Sequence, residues 1–354
     1  MTQTGKPAAL RKDAHIDLAL SPDTVSAVDN GFDRLTFSHC ALPEMDLDAV
    51  DSSTQFLGRR LSAPILIGAM TGGTTRAEAI NAELAAMAQQ HKIGFAVGSQ
   101  RAGLELGHSA RNLRDIAPDI PIIGNLGGVQ LAQPGGLDLA KEAIEDLHAD
   151  AIAIHLNPLQ EVLQPEGERN WHGVTAAIKA LVKTELCPVI VKEVGAGISA
   201  DVAATLFDIG VAAVDVAGLG GTNWARIEAR RREDKGASLG PFFDWGVPTL
   251  DCLIEVCGAH PDQLVIASGG VRHGLDAMRA YWLGADMVSL AGPVLKHLLA
   301  GDKQPDALAL FDFIAQIKKQ IEVTLFLTGA ADLTTLRTKQ ARLDGRVLDR
   351  RLQA

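Results

Sequence analysis

The feature that most restricts the fold of this chain is a series of eight short apolar runs spread along it. Each run is about five to eight residues long, is rich in Val, Ile, Leu and Ala, and leads into glycine or a polar residue. The runs are residues 63–70, 93–98, 121–127, 151–157, 188–195, 212–218, 264–270 and 287–292. Strands that are apolar on both faces are typical of a parallel sheet covered by helices.

Segments with helical periodicity lie between most of these runs. Residues 74–92, for example, carry Ala77, Ile80 and Leu84 on one helical face, and Ser199 is a good N-cap for the helix after the fifth run. Eight alternations of strand and helix predict an α/β fold, the (β/α)₈ TIM barrel. A doubly wound open sheet is the alternative, but no GxGxxG motif follows the first run.

We expect a single domain over residues 1–354. An N-terminal extension, the barrel strands and C-terminal helices occupy residues 1–62, 63–292 and 293–354, respectively. The connections after the fourth and sixth runs are unusually long and belong to the C-terminal face of the barrel, where active sites of this fold are built.

Charge and composition exclude several classes of function. The net charge is −10 with no compensating basic tract, which argues against nucleic acid as the main partner. No apolar run approaches the roughly 20 residues needed to cross a bilayer, and the N-terminus has no signal-peptide pattern. The four cysteines form no CxxC pair or zinc pattern. We therefore expect a cytoplasmic protein with reduced thiols.

The fourth run ends in polar groups, in the sequence IHLNPLQE. Side chains alternate along residues 151–157, which directs His155 and Asn157 to the barrel axis and Ile152, Ile154 and Leu156 to the helices. Gln160 and Glu161 follow in the loop. A single histidine in such a position is commonly structural, but four polar groups at one strand end favour a functional site.

A lysine interrupts the fifth run. Lys192 shares the inner face of this strand, and an unpaired charge is costly to bury there. An internal salt bridge with Glu193 or Asp215 is one interpretation. A cation placed against an anionic ligand, or against a cofactor that gains negative charge, is the interpretation we favour.

Glycine-rich turns follow the last two runs. Gly269, Gly270 and Arg272 come after the seventh, and Ala291 and Gly292 after the eighth. Loops at these two positions of the barrel form its usual phosphate site, and glycine leaves the backbone N–H groups accessible. The sequence therefore predicts a bound phosphate rather than merely a tight turn.

Basic residues outside these turns suit a second, larger anion. Arg11 and Lys12 lie in the N-terminal arm, and the second run leads into SQR at 99–101. Such cations near the mouth fit a diphosphate better than a single phosphate, although spacing alone also allows a solvated tail for the arm. Glu161 beside them could hold Mg²⁺, which commonly bridges a carboxylate and substrate phosphates.

The motifs RKDAHI, AMTGG, SQR, IGNLG, HLNPLQE, VKEVG, DVAGLGGTNWARIE, SGGVR and LAGP occur in this order between residue 11 and about residue 295. Together they resemble those of type 2, flavin-dependent isopentenyl-diphosphate isomerases. HLNPLQE and GGTNWARIE are the specific motifs, whereas AMTGG and SGGVR are shared with other FMN barrels. The chain departs from the family pattern at Ala196, where a bulkier residue is expected, and at Asn223, where serine is expected.

The resemblance implies an isomerase of isoprenoid biosynthesis that converts isopentenyl diphosphate to dimethylallyl diphosphate. It implies FMN, NADPH as the reductant, Mg²⁺, a small-molecule substrate and a homo-oligomer, either a tetramer or an octamer. The implied FMN contacts are Ala69, Met70, Thr71, Ser99, Asn125, Lys192, Thr222, Gly269, Gly270, Arg272, Ala291 and Gly292. The implied substrate contacts are Arg11, Lys12, Ser99, Gln100, Arg101, His155, Asn157, Gln160 and Trp224.

The same resemblance assigns roles to a few residues. Glu161 would hold Mg²⁺, and Gln160, His155 and Lys192 would be catalytic. Moving a double bond requires adding one proton and removing another, through a cation-like intermediate that must be stabilised. Our hypothesis is that reduced FMN is the acid–base group, that Gln160 orients it, and that Lys192 stabilises its negative charge.

Three rival functions are considered. An FMN oxidoreductase of the 2-hydroxy-acid oxidase type needs a histidine base beside an arginine, which Arg272 and His273 superficially offer. An enzyme like IMP dehydrogenase needs a nucleophilic cysteine after the sixth run, where none occurs before Cys252. A non-catalytic flavin- or phosphate-binding module would not need the polar cluster of HLNPLQE.

Overall fold

The fold was analysed in a computed structural model of the chain, which describes residues 5–232, 234, 237–301 and 305–348, with side chains from residue 12 onward. The strands are β1 (Leu35–Phe37), β2 (Thr54–Phe56), β3 (Arg59–Leu61), β4 (Ile65–Ile67), β5 (Gly94–Ala96), β6 (Ile122–Gly127), β7 (Ala151–His155), β8 (Val189–Lys192), β9 (Ala213–Asp215), β10 (Val265–Ala267), β11 (Met287–Leu290), β12 (Ala341–Leu343) and β13 (Arg346–Leu348).

The helices surround the strands and fill the connections. They are α1 (Gly5–Ala19), α2 (Thr75–His91), α3 (Arg101–Glu105), α4 (Asn112–Ile116), α5 (Gly128–Leu131), α6 (Gly136–Leu147), α7 (Pro158–Leu163), α8 (Val174–Val182), α9 (Ala200–Asp208), α10 (Trp224–Arg231), α11 (Thr249–Ala259), α12 (Gly274–Leu283), α13 (Gly292–Leu298), α14 (Ala307–Leu327) and α15 (Leu333–Leu336). Among the described residues, no helix combines the length and apolar character needed to cross a membrane.

Strands β4 to β11 form a closed parallel barrel, which confirms the predicted fold class. Each of the eight predicted runs contains one barrel strand. Apart from β6, which keeps Asn125 and Gly127 in the ladder, the strands end before the last residues of the runs, and those residues enter the loops. The polar ends of the strands are therefore free to line a site.

The two faces of the barrel strands bury different sets of side chains. Ala153 and Ile190 pack with the other inward-facing residues inside the barrel, whereas Ile152, Ile154 and Val191 pack in the outer layer against the helices. This is the alternation that the sequence predicts for β7 and β8. The larger outer cluster also holds the apolar faces of α2, α12 and α14.

A hairpin of β2 and β3 closes the N-terminal end of the barrel. Phe56 and Leu61 pack into the inner cluster, and the Arg59 guanidinium donates to Asp150 at 2.9 Å. Sequence analysis did not resolve this hairpin within the N-terminal extension. Because it fills the bottom of the barrel, the cavity lies at the opposite, C-terminal mouth.

The C-terminal region contains the expected helices and also a hairpin that was not predicted. Helix α14 packs against α2, α12 and α13. Strands β12 and β13 pair antiparallel, and β12 also pairs with β1. Arg34 reinforces this junction with ion pairs of 2.9 Å to Asp344 and 2.7 Å to Asp251. The two terminal regions are thus held to each other across the outer ring.

Candidate functional site

A cavity of about 380 Å³ opens at the C-terminal mouth of the barrel. Most of the residues predicted to bind cofactor, substrate or metal line it. They are Lys12, Ala69, Met70, Thr71, Ser99, Arg101, Asn125, His155, Asn157, Gln160, Glu161, Lys192, Thr222, Trp224, Gly269, Gly270, Arg272, Ala291 and Gly292. The loops and strand ends from all parts of the barrel therefore meet at one place, although the roles of these residues remain predictions.

Two predicted substrate contacts do not belong to this set. The side chain of Arg11 lies outside the described residues. Gln100 is not among the residues that line the cavity, and its amide is turned away from it. Its Oε1 accepts from the backbone N–H of Asn125 and its Nε2 donates to the carbonyl of Ala143, both at 2.9 Å. Gln100 therefore braces β6 from behind.

The end of β7 and the start of α7 hold the HLNPLQE side chains together. Asn157 Nδ2 lies 3.1 Å from both Gln160 Oε1 and Glu161 Oε1. Pro158 occupies the first turn of α7, where its missing N–H costs nothing. The second carboxylate oxygen of Glu161 accepts from the backbone N–H of Glu168 at 2.7 Å. The cluster is therefore rigidly arranged by its own hydrogen bonds.

A buried carboxylate that sequence analysis missed anchors this cluster. Glu228 of α10 has no exposed surface, and its Oε1 accepts from Gln160 Nε2 at 2.8 Å and lies 3.0 Å from His15 Nε2. Arg231 pairs with its other oxygen. Burial raises the pKa of Glu228, but the hydrogen bonds and charges of His15, Gln160 and Arg231 bring it below its usual value. Glu228 lies four residues after Trp224 and therefore on the same face of α10, and this spacing is the sequence signal that could have identified it.

Helix α1 covers one side of the cavity through His15. The His15 ring meets the edge of Trp224 with centroids 5.3 Å apart, and both residues line the cavity. Burial lowers the pKa of His15, and this outweighs the contact with Glu228 that raises it. His15 is therefore a neutral, largely apolar contact for Trp224 at neutral pH.

Lys192 stands between a cavity and a buried acid. Its Nζ donates to the backbone carbonyl of Glu193, and its Cα pairs across the sheet with Asp215. Burial raises the pKa of Asp215, while Lys192 and a hydrogen bond from the Ser268 hydroxyl act in the opposite direction. Lys192 therefore has a neighbouring acid within the barrel and an open side toward the cavity.

One oxygen of the Glu193 carboxylate, the first candidate for an internal salt bridge with Lys192, is held by the loop backbone. Glu193 Oε2 accepts from three successive backbone N–H groups, those of Val194, Gly195 and Ala196, at 2.6 to 2.7 Å. The carboxylate thus shapes the loop after β8. Burial raises the pKa of Glu193, and its backbone hydrogen bonds and the charge of Lys192 act in the opposite direction.

Two glycine-rich loops pack against each other at the predicted phosphate cradle. Gly269 and Gly270 have φ values of +98° and +73°. A Cβ at these two positions would come within 2.1 Å of the Gly218 carbonyl oxygen and 2.4 Å of Gly220. Only glycine fits here, because the two loops pack backbone against backbone, and both glycines also line the cavity. Arg272 lines the same region, but its guanidinium is already held by Asp276 at 2.9 Å.

The hydrogen-bonding groups on the side of the cavity formed by Ala69, Met70 and Thr71 fit FMN. Thr71 Oγ1 is buried and has no hydrogen-bond partner among the described residues. It stands beside the backbone of Ala69 and Met70, which also line the cavity. A flavin carries N–H and C=O groups along one edge and a phosphate at the far end, so it can use this hydroxyl, the Lys192 ammonium and the glycine cradle.

The residues near Glu161 could hold Mg²⁺ only together with a ligand. In the parts of the chain that the structure describes, no group of three or more His, Cys, Asp or Glu side chains is arranged as a metal site. Mg²⁺ prefers six oxygen ligands and commonly takes them from one carboxylate, water and phosphate. The single carboxylate of Glu161 is therefore sufficient only for a Mg²⁺ ion that binds together with a diphosphate.

The two departures from the family pattern have local explanations. Asn223 caps α10 by accepting from Arg226 N at 3.0 Å, and its Nδ2 donates to the Phe243 carbonyl at 2.6 Å. A serine could provide the cap but is too short for the second bond. At Ala196 the carbonyl accepts from Val247 N at 3.0 Å, so the 245–247 segment packs closely over this small residue.

The residues needed by the rival enzymes are engaged elsewhere. His273 is not among the residues that line the cavity, and its Nδ1 accepts from Asp276 N as the N-cap of α12. Arg272 pairs with the same aspartate. Burial raises the pKa of the Cys252 thiol to about 12, and Cys252 is also absent from the cavity wall. Arg272, His273 and Cys252 are therefore not placed as the rival reactions require.

Comparisons with known proteins agree with this geometry. The family model of FMN-dependent dehydrogenases matches residues 149–343. An isopentenyl-diphosphate delta-isomerase of Xanthobacter autotrophicus is 50% identical over 335 residues, which cover 93% of this chain and 96% of that protein. Proteins of the same name from Stutzerimonas stutzeri and from Synechocystis are 47% and 44% identical, over 94% and 92% of this chain and 96% and 93% of theirs.

Solved structures share the fold at much lower identity. A mandelate oxidase variant with an FMN adduct is 18% identical, with a TM-score of 0.66 over 96% of this chain and 99% of that one. A lactate oxidase of Pediococcus acidilactici is 17% identical, with a TM-score of 0.68 over 96% and 93% of the two chains. At this level of identity, the likeness concerns the barrel alone.

Proposed function

Because the chain belongs to the family of isopentenyl-diphosphate delta-isomerases, we propose that it interconverts isopentenyl diphosphate and dimethylallyl diphosphate with bound FMN. The observation that carries this proposal is the 50% identity to one such enzyme across 93% of the chain. The grouping of His155, Asn157, Gln160 and Glu161 at one cavity supports it. An oxidase of the 2-hydroxy-acid type would need a histidine base beside an arginine in the cavity, and Arg272 and His273 do not form such a pair there.

The proposed FMN site is the side of the cavity formed by the ends of the first, second, third and fifth barrel strands and by the loops after the sixth, seventh and eighth. The flavin ring would contact Ala69, Met70, Thr71, Ser99, Asn125, Lys192 and Thr222, and its phosphate would contact Gly269, Gly270, Arg272, Ala291 and Gly292. The Thr71 hydroxyl, which has no hydrogen-bond partner among the described residues, and the positive φ values of Gly269 and Gly270 support this assignment. When bound in its reduced form, FMN supplies negative charge and a proton-bearing nitrogen beside the substrate.

The proposed diphosphate site is the cationic side of the same cavity. Lys12 from α1, Arg101 from α3 and Lys192 from β8 all raise the local positive potential around His155. Ser99 and Asn157 add neutral hydrogen-bonding groups, and Arg11 would reach the site from the arm. Mg²⁺ on Glu161 would share the diphosphate charge.

The residues around the alkene end have distinct proposed tasks. Gln160 is held from two sides by Asn157 and Glu228, so its remaining N–H and lone pair have fixed directions. Trp224 and His15 wall the cavity and would exclude water from a cation-like intermediate. Lys192 would stabilise negative charge opposite that intermediate.

The remaining parts of the proposal concern the setting of the enzyme. NADPH would serve as the reductant, the chain would act in the cytoplasm, and it would assemble as a tetramer or an octamer. Size-exclusion chromatography with light scattering gives the assembly directly. Replacing NADPH with dithionite tests whether only flavin reduction is required.

Comparing product formed with reductant consumed tests the proposed reaction. The holoenzyme, isopentenyl diphosphate, Mg²⁺ and a limiting amount of NADPH are incubated without oxygen. Many turnovers per NADPH are expected, because isomerisation has no net redox change. One NADPH per product, or oxidation of a 2-hydroxy acid with no isomerisation, would instead establish an oxidoreductase.

A further inference from the structure

A chain of hydrogen bonds fixes the orientation of the Asn125 amide. Asn125 Nδ2 donates to the Val97 carbonyl at 3.1 Å, and its backbone N–H is held by Gln100. A carbonyl can only accept, so the atom that faces Val97 must be the amide nitrogen. The oxygen of the amide therefore points the other way, toward His155.

The same geometry fixes the tautomer of His155. Its Nδ1 lies 2.8 Å from Asn125 Oδ1, and an amide oxygen can only accept. Nδ1 must therefore carry the hydrogen. In a neutral ring Nε2 is then a bare acceptor, and within the described part of the chain it has no hydrogen-bond partner. A Cβ added at Gly127 would lie 3.1 Å from Nε2, so this glycine leaves room for the ring edge.

The surroundings of His155 keep its ring neutral before a ligand binds. Burial lowers its pKa, and Lys192, Lys12 and Arg101 lower it further, to about 3. These cations come from β8, α1 and α3, and the neighbouring element α7 contributes Glu161 to the same cavity. The cavity thus contains three cations and also a bare acceptor atom, His155 Nε2. While the ring is neutral, this acceptor disfavours the binding of an anion beside it.

We propose that Asn125 is a positioning residue that holds His155 as its Nδ1–H tautomer, and that His155 Nε2 takes up one proton when a diphosphate binds. This inference rests on the proposed function. Phosphate oxygens are acceptors, so a bare Nε2 would repel them, whereas a protonated Nε2 donates a charge-assisted hydrogen bond. The negative charge of the ligand offsets the cations that keep the free ring neutral. The proton comes from solvent, and no covalent bond changes.

Calorimetry of the oxidised holoenzyme tests the proposal. Isopentenyl diphosphate is titrated at saturating Mg²⁺ and near-neutral pH in two buffers with different ionisation enthalpies, which gives the number of protons bound. We expect wild type to take up about one proton more per site than His155→Gln. His172→Gln is the matched control, since His172 is exposed and lies outside the cavity wall, and it should behave as wild type.

A second variant separates positioning from a structural role. Asn125→Asp places a carboxylate opposite Nδ1–H, which stabilises the charged ring in the free protein. The proton uptake should therefore fall, whereas a merely structural loss would weaken affinity and leave the proton count unchanged. Side-chain ¹⁵N chemical shifts of histidine in wild type, with and without the ligand, report the tautomer if His155→Gln fails to fold.

The outcomes are distinguishable. Binding with equal proton counts in wild type and His155→Gln would overturn the inference and leave the proposed function intact. A free protein in which the ¹⁵N shifts show the hydrogen on Nε2 would also overturn it. Complete absence of binding to the diphosphate would overturn the proposed function, and with it this inference.

Discussion

Gln160 and Glu228 are joined by a hydrogen bond of 2.8 Å between an amide at the cavity wall and a carboxylate with no exposed surface. The carboxylate can only accept, so Gln160 must turn its NH₂ group toward α10 and its oxygen toward Asn157. The two residues are 68 positions apart in the chain. This contact fixes the direction of the Gln160 side chain, which we propose orients the flavin.

Replacing Gln160 should therefore affect turnover more than flavin binding. For Gln160→Ala we expect kcat to fall by about 100-fold or more, within the range for groups that assist proton transfer. The dissociation constant for FMN should change by less than about threefold, since Gln160 is not among the residues assigned to the FMN site. Steady-state kinetics and flavin fluorescence titration measure the two effects. Equal losses in both would contradict the role assigned to Gln160.

Removing the charge of Glu228 should destabilise the fold. Glu228→Gln leaves Arg231 without its buried partner, and breaking a buried ion pair costs about 3 kcal/mol. Glu166→Gln is the matched control, because Glu166 pairs with the same arginine at 2.6 Å but is 45% exposed. Its loss should cost less than about 1 kcal/mol. Urea unfolding of both variants checks this, and equal costs would show that Glu228 is not a buried anchor.

Adding a methyl group to the phosphate cradle should release FMN. Gly270→Ala forces a Cβ to within 2.4 Å of Gly220 at a φ of +73°, so the two loops must separate. We expect FMN affinity to fall at least about tenfold, equivalent to 1.4 kcal/mol. Gly258→Ala provides the comparison, because nothing lies within 4 Å of a Cβ there. Retention of full FMN affinity by Gly270→Ala would remove this cradle from the proposed site.

The stability of the ligand-free protein should decrease in acid because of His155. Its pKa is about 3 in the fold and 6.5 in the reference state, so the unfolded chain binds the extra proton between these values. Stability attributable to His155 is therefore present above about pH 6.5 and is lost as the pH falls toward 3. The free energy of unfolding should therefore fall with decreasing pH more steeply in wild type than in His155→Gln, by about 1.4 kcal/mol per pH unit. Parallel slopes in urea unfolding between pH 6 and 4 would contradict a neutral, partly buried ring.

Glu161 should determine the Mg²⁺ requirement. Glu161→Gln keeps the oxygen that accepts from Asn157, loses the acceptor for the Glu168 N–H, and removes the negative charge that a hard cation prefers. The Mg²⁺ concentration for half-maximal activity should rise about tenfold or more, and FMN content should remain unchanged. The measurement is a Mg²⁺ titration after chelator treatment. An unchanged requirement would place the ion elsewhere.

The barrel could be predicted because its information is local. Each strand shows its type within eight residues, and alternation along 151–157 is enough to direct His155 inward and Ile154 outward. Strand ends of a parallel barrel meet at one mouth, so the site followed from the fold.

Features that depend on distant partners could not be predicted. The amide of Gln100 bonds to a carbonyl 43 residues away, and nothing near SQR indicates that it turns from the cavity. The three-residue strands of the β2–β3 and β12–β13 hairpins are too short to show a period. Glu228 contacts His15 of α1 and Gln160 of α7, and no local pattern in α10 indicates these two partners.

The measurement that tests the central claim most directly is proton NMR of the reaction in D₂O. The holoenzyme is incubated without oxygen with isopentenyl diphosphate and Mg²⁺, with the flavin either oxidised or reduced. The account predicts methyl signals of dimethylallyl diphosphate carrying deuterium, only with reduced flavin and without stoichiometric loss of NADPH. Bound flavin with no such product in either state would contradict it.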